Sequence, residues 1–260
     1  VLIICTLVFY NQLHFMQNKN LGYEVKQIIS VLTEAAESKE QIDGLMNELK
    51  SQSFVKSLAR TQVLPAESGS LRAMTKPEAP ENNFSVQTNH SSPEIFETLG
   101  LKLLAGKAFT PKTSPKDTMV QVVLNQSAIK FYGYTPEQAI GKTAYNLFGW
   151  NNAQIVGVVE DFHFEDFHKP IGAYGFHNQP SEGRPNLLIK VEGGDLSQNL
   201  ATIQSIFQKN LPNSAFKYTF LSDAVAKLYA AEKKTSDIVL FFSVVAILIA
   251  CLGLFGLAAY

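Results

Sequence analysis

The sequence predicts an α+β fold: a mixed, two-lobed domain carried between two membrane-spanning helices through helical stalks. Three observations predict it. Ile238–Ala259 is an uncharged run in which only Ser243, Gly253 and Gly256 depart from apolar, Ala or Cys residues. Val1–Tyr10 is a second uncharged, nearly all-apolar stretch. Between them, short β-branched runs alternate with helical patterns of period 3.6, the signature of a domain built from both sheet and helix.

Each element has its own reason. As a helix rising about 1.5 Å per residue, Ile238–Ala259 reaches about 33 Å, enough for the roughly 30 Å hydrocarbon core of a bilayer. Residues 1–10 reach only about 15 Å by the same rise. With no initiator Met before them, they read as the second half of a membrane helix; a signal-peptide remnant would need a basic start and a small-residue cleavage site, which are missing. Residues 11–22 continue that helix outward as a stalk, with Leu13 and Met16 on an apolar stripe and Gly22 as its stop.

Lys26–Leu32 then reads as a strand. Glu40–Lys50 reads as an amphipathic helix with Ile42, Leu45, Met46 and Leu49 on one face, and Phe54–Arg60 as a second strand. Pro, Glu, Ser and Gly dominate Leu64–Asn83, predicting a long exposed loop. Phe84–Thr88 precedes a short helix capped by Ser92, opened by Pro93 and ended by Gly100, with Ile95, Phe96 and Leu99 inward. Gly106 and Pro111–Lys116 mark loop. Val120–Leu124 is a buried strand feeding the helix Gln126–Tyr132, followed by a turn of helix at Pro136–Ala139. Ala153–Val159 and Asn186–Glu192 are further strands. Asp195 caps a helix Leu196–Leu211, and Phe216–Phe220 is a last strand. One long helix from Asp223 to Leu252, capped by Ser222 and free of Pro and Gly, links domain to membrane. The expected division is thus residues 1–10 membrane helix, 11–22 stalk, 23–221 domain with a second lobe at about 90–185, 222–237 stalk, and 238–260 membrane helix.

Composition excludes some functions. A net charge of -1 and a pI near 6.6, without a basic stripe, argue against nucleic acid as a partner. The two cysteines, Cys5 and Cys251, lie in the apolar ends, so the domain holds no disulfide. The charges at Lys19, Lys26, Lys233 and Lys234 leave the side of the membrane open, because orientation depends on loops on both sides.

Candidate chemistry is sparse. Asp161-Phe162-His163-Phe164-Glu165-Asp166-Phe167-His168 is the densest polar cluster. Extended, it places Asp161, His163 and Glu165 on one edge, three donors of the type zinc takes, with His168 nearby. The alternating Phe residues favour a plainer reading, in which they anchor a surface loop whose acidic and histidine groups are solvated or bonded to backbone. Gly141-Lys142-Thr143 lacks the upstream glycine spacing of a phosphate loop and reads as a turn. No Gly-x-Ser-x-Gly elbow is present. No cofactor or catalytic residue is expected. Ala250, Gly253 and Gly256 share a small-residue face suited to helix packing in the membrane, or simply reflect the glycine content of membrane helices.

Several words of the sequence resemble one family. Leu248-Ile249-Ala250-Cys251-Leu252-Gly253-Leu254-Phe255-Gly256-Leu257-Ala258, the stretch His14–Tyr23, Leu99-Gly100 with Leu104-Ala105-Gly106, Leu124-Asn125-Gln126-Ser127-Ala128, Ile155–His163 and Leu228-Tyr229-Ala230-Ala231-Glu232 together resemble MacB-type, FtsX-like ABC transporter permeases. The likeness is strongest to the duplicated form found in Bacteroidetes. Phe167 stands where a Leu is usual, and Ala173-Tyr174 replaces a segment that usually contains Pro.

The resemblance implies an extracytoplasmic, periplasmic core domain of a multi-pass inner-membrane protein, here the second of two such domains. It also implies a separate cytoplasmic ABC ATPase as partner, along with the remaining membrane helices, the other repeat or a second permease copy, and an envelope protein. The permease is then no enzyme: stalk residues Leu13, Met16, Leu228, Tyr229, Glu232 and Lys233 couple ATP-driven motion to the domain, for export of a substrate. A mechanical relay that regulates an envelope enzyme or sensor without transport is the alternative.

Overall fold

The computed structural model describes residues 21–33, 38–65, 67, 69–76, 79–111, 119–145, 147, 153–164, 170–179, 185–227 and 230–259. They fall into two units, one comprising Leu21–Ala224 and the other running from Val225.

In the first unit, strands β1 (Ile28–Leu32), β2 (Val55–Thr61), β10 (Asn186–Val191) and β11 (Tyr218–Phe220) form an antiparallel sheet in the order β11-β1-β10-β2. Helices α1 (Lys39–Lys50) and α5 (Leu196–Asn210) cover one face. Period-2 alternation sends Ile29 and Val31 of β1 and Leu187, Ile189 and Val191 of β10 into the same core as Leu45, Leu49, Ile203 and Phe207 of the helices. Both helices start where their sequences provide a cap. Ser38 and Gln41 form a reciprocal capping box on α1, and the Asp195 carboxylate accepts from the Gln198 N–H on α5.

The second sheet is mixed and takes its strands from the sequence between β2 and β10. Its order is β3 (Ser70–Lys76), β4 (Ala79–His90), β9 (Ala173–His177), β6 (Val120–Asn125), β8 (Ala153–Val159) and β5 (Leu103–Gly106), with the two-residue β7 (Thr143–Ala144) beside β8. β4–β9 and β6–β8 are parallel pairs; β6–β9 is antiparallel. Helices α3 (Gln126–Tyr132) and α4 (Pro136–Ala139) pack Ala128, Ile129 and Ala139 onto Val122, Leu124 and Ile155. The opposite face is aromatic. Tyr174 and Phe176 alternate with Ala173 and Gly175 along β9 and meet Phe96, Phe162 and Phe164. Phe96 belongs to the short helix α2 (Ile95–Thr98), which also lies against β2 of the first sheet.

Three expectations change. Leu64–Asn83 is not a loop: it contains β3 and the start of β4, a hairpin at the sheet edge. An edge hairpin leaves alternate side chains such as Leu71 in water, so its composition can be as polar as a loop's. Ser92 does not cap α2; its hydroxyl accepts from the Arg60 N–H at 3.0 Å, and no side chain caps that helix. Ser222 falls inside the first turn of helix α6 (Leu221–Lys227), which begins directly after β11.

The second unit contains helix α7 (Ala230–Ala259). Its stretch Asp237–Ala259 is long and apolar enough to cross a membrane, and its apolar side chains are almost all exposed.

Candidate functional site

The Asp161-Phe162-His163-Phe164 segment leaves the end of β8 and is built as a structural turn. The Asp161 carboxylate accepts from the Ser127 N–H and from the Ser127 hydroxyl, both at 2.8 Å, and lies 3.7 Å from Lys130. Asn125 supplies the companion cap. Its side-chain oxygen accepts from the Ala128 N–H at 3.0 Å and the Tyr174 N–H at 2.9 Å, while its amide donates to the Gly172 carbonyl at 2.8 Å. Together they satisfy N–H groups that the helix's own first turn leaves open. Phe162 and Phe164, both under 5% exposed, fill the aromatic face.

The residues weighed for a metal separate accordingly. Asp161 is committed to α3, and the His163 N–H donates to the Leu21 carbonyl at 2.8 Å. Glu165 and His168 lie outside the described residues. Among the described residues no group of three His, Cys, Asp or Glu is placed to hold a metal ion.

The stalk residues Leu13, Met16, Leu228 and Tyr229 also lie outside the described residues, whereas Glu232 and Lys233 are in the first turns of α7. Ala250, Gly253 and Gly256 lie in its exposed apolar stretch, with no side chain within 4 Å of where a Cβ would stand on either glycine. Gly141, at φ 81°, turns the chain out of α4, with the Lys142 N–H donating to the Ala139 carbonyl. A shallow, open groove of about 350 Å³ lies beside it, lined by Gly106, Lys107, Ile140 and Val156.

What sequence reasoning missed is the way the chain enters the domain and the way its sheets join. At Leu21–Glu24, Gly22 adopts φ 82° directly against Phe162; Tyr23 meets the Phe162 ring edge-on at 6.1 Å; the Glu24 N–H donates to the Leu99 carbonyl at 2.7 Å; and the Glu24 carboxylate pairs with Lys190 at 2.6 Å. Four words of the family resemblance thus converge here: Gly22-Tyr23, Leu99-Gly100, Asn125 to Ala128 and Asp161 to His163.

The two sheets join through polar groups. The Gln62 N–H donates to the His90 carbonyl and the Ser92 N–H to the Arg60 carbonyl, each at 2.8 Å. The buried Thr61 hydroxyl is 2.9 Å from Asn89 Oδ1 and 3.0 Å from the Ser91 hydroxyl. His90 and His177, buried neighbours in register on β4 and β9, stack at 5.5 Å. Burial first, then the charges of His90 and Arg72, holds the His177 imidazole well below the ordinary histidine value. The His177 Nδ1 accepts from the Gln179 N–H at 3.2 Å, a bond that needs that nitrogen unprotonated.

This two-sheet architecture is shared with solved domains of other proteins. One is the periplasmic region of MacB from Actinobacillus actinomycetemcomitans, matched over 82% of this chain and 96% of that one with a TM-score of 0.52 at 16% identity. At that identity the likeness establishes the fold. A domain of a putative permease from Porphyromonas gingivalis (TM-score 0.48, 16% identity, 74% of this chain and 88% of that one) is also similar. So is the extracellular domain of the ABC-type transporter YknZ from Gram-positive bacteria (TM-score 0.48, 14% identity, 74% of this chain and 98% of that one). By sequence, no established family profile and no curated protein matches.

Proposed function

We propose that this chain is the periplasmic core domain, with its membrane attachments, of a permease subunit of an ATP-driven ABC transporter in a multi-pass inner-membrane protein. The observation that carries the reading is the pairing of a MacB-type two-sheet fold with the membrane-length apolar helix Asp237–Ala259 on the same chain. A separate cytoplasmic ATPase supplies the energy. The domain supplies no bond-making chemistry, and its work is mechanical: ATP-driven movement of the membrane helices is passed through α6 and α7, and through the chain before Leu21, to the two sheets, which push or release a substrate.

A helix whose backbone bonds are continuous transmits force, and one interrupted by Pro does not. Thr235 lies inside α7, ahead of its membrane-length stretch. Thr235→Pro removes the bond to the carbonyl four residues earlier, at a cost of about 3 kcal/mol to the helix. The substitution is expected to abolish transport while the assembled ATPase still hydrolyses ATP, measured by export and phosphate release in the same proteoliposomes. Unchanged export would rule out the mechanical reading. Export is the favoured outcome; an envelope enzyme or sensor switched on without any cargo moving would instead establish the relay.

A further inference from the structure

We infer that Leu21–Glu24 is a clasp that ties the incoming chain to both sheets at once, with Gly22 and Phe162 as its positioning residues. The inference rests on the transporter reading only for its purpose; the clasp itself rests on contacts within the domain. On the side of the second sheet, the Leu21 carbonyl accepts from the His163 N–H, and Gly22 lies so close that a Cβ there would meet Phe162 Cβ at 2.8 Å and the Asp161 carbonyl oxygen at 3.1 Å. Tyr23, buried, closes on the Phe162 ring. On the side of the first sheet, Glu24 pairs with Lys190 of β10, and the Val191 N–H donates to the Gln27 carbonyl at 2.9 Å. Between them, the Glu24 N–H bonds to Leu99 at the end of α2, whose Phe96 reaches Phe176 on β9 while the helix lies against β2.

Four consecutive residues therefore engage the loop after β8, the end of α2 and the middle of the first sheet. A pull on the chain before Leu21 is shared between the sheets, in contrast to an attachment through β1 alone, which would load the first sheet only. Phe162 is the hinge pin of the arrangement. The segment that carries it is anchored by Asp161 onto α3, so force reaching Phe162 continues into the helix that packs on β6.

Gly22 offers a direct test because it is itself exposed and removes no core packing. Gly22→Ala adds a methyl group that must displace Phe162, and it also strains a left-handed backbone. Gly133→Ala is the matched control: at φ 75° it carries the same strain with nothing within 4 Å to meet. Amide hydrogen exchange on the full-length protein in lipid nanodiscs reads both arms of the clasp. Gly22→Ala is expected to speed exchange at least tenfold in the peptides containing His163 and Glu24 together, leaving β6 and β10 unchanged, while Gly133→Ala leaves both peptides at their wild-type rates.

Phe162→Leu, which keeps an apolar side chain in the site, is expected to move the same two peptides together, by at least threefold, and serves if Gly22→Ala fails to accumulate. Acceleration at His163 with Glu24 unchanged, or no change at either, overturns the clasp. The measurement uses neither ATP nor an ATPase, so a protein that shows the coupled exchange yet has no ATPase partner refutes the transporter reading alone.

Discussion

At the N-terminus of α3, a side chain at the end of β6 and one from the turn after β8 divide the work of one helix cap. Asn125 bonds the Ala128 N–H and Asp161 bonds the Ser127 N–H and hydroxyl. Losing a carboxylate cap costs about 0.5–2 kcal/mol. Asp161→Ala is expected to lower stability within that range, measured by denaturant unfolding of the detergent-purified protein; an effect well above it would mean that Asp161 does something beyond capping.

His177 carries a pH dependence of definite sign. Its folded-state value is depressed, so the unfolded chain binds the proton more readily. Stability is complete above the ordinary value of 6.5 and falls as pH drops below it toward the folded value. Asn at position 177 keeps an acceptor for the Gln179 N–H and does not titrate. His177→Asn is therefore expected to lose less melting temperature than wild type between pH 7.5 and 5.5. Equal losses would remove His177 from the account.

Among elements, those with a strong local signal were legible from sequence. Pro136–Ala139 and Gln126–Tyr132 form helices over the predicted spans, and Ala153–Val159 forms its strand, because capping residues and β-branched runs mark them locally. β9 was not read. Its sequence Ala173-Tyr174-Gly175-Phe176-His177 has a glycine at its centre and a histidine at its end, both of which weaken a strand signal. The glycine is there because β6 comes close: a Cβ on Gly175 would meet Leu124 Cδ2 at 2.8 Å. Gly175→Ala is expected to destabilise the second sheet by about 1–3 kcal/mol through overpacking, detected as a lower denaturant midpoint; an unchanged midpoint would show that Leu124 yields without cost.

The candidate site was legible only in part for a similar reason. The Asp161–Phe164 turn stood out by composition, and its phenylalanines do anchor it. Its partners Gly22, Ser127 and Leu99 are distant in sequence, and no single-sequence pattern pairs them.

For the whole molecule, the polar junction sets what the sheets can do relative to each other. Backbone bonds at Gln62–His90 and Ser92–Arg60, together with the buried Thr61, Asn89 and Ser91 side chains, fix their register by directional bonds rather than by interchangeable apolar contacts. Under the transporter reading proposed above, this joint and the clasp at Leu21–Glu24 would carry a pull from the membrane into both sheets. The proposed source of that pull is ATP hydrolysis by a partner subunit. Gentle extraction of the full-length protein from its native membrane, followed by mass spectrometry of what accompanies it, tests that most directly. An ABC-type ATPase is expected in stoichiometric amount; repeated recovery of the intact protein without one would rule out the ATP-driven reading.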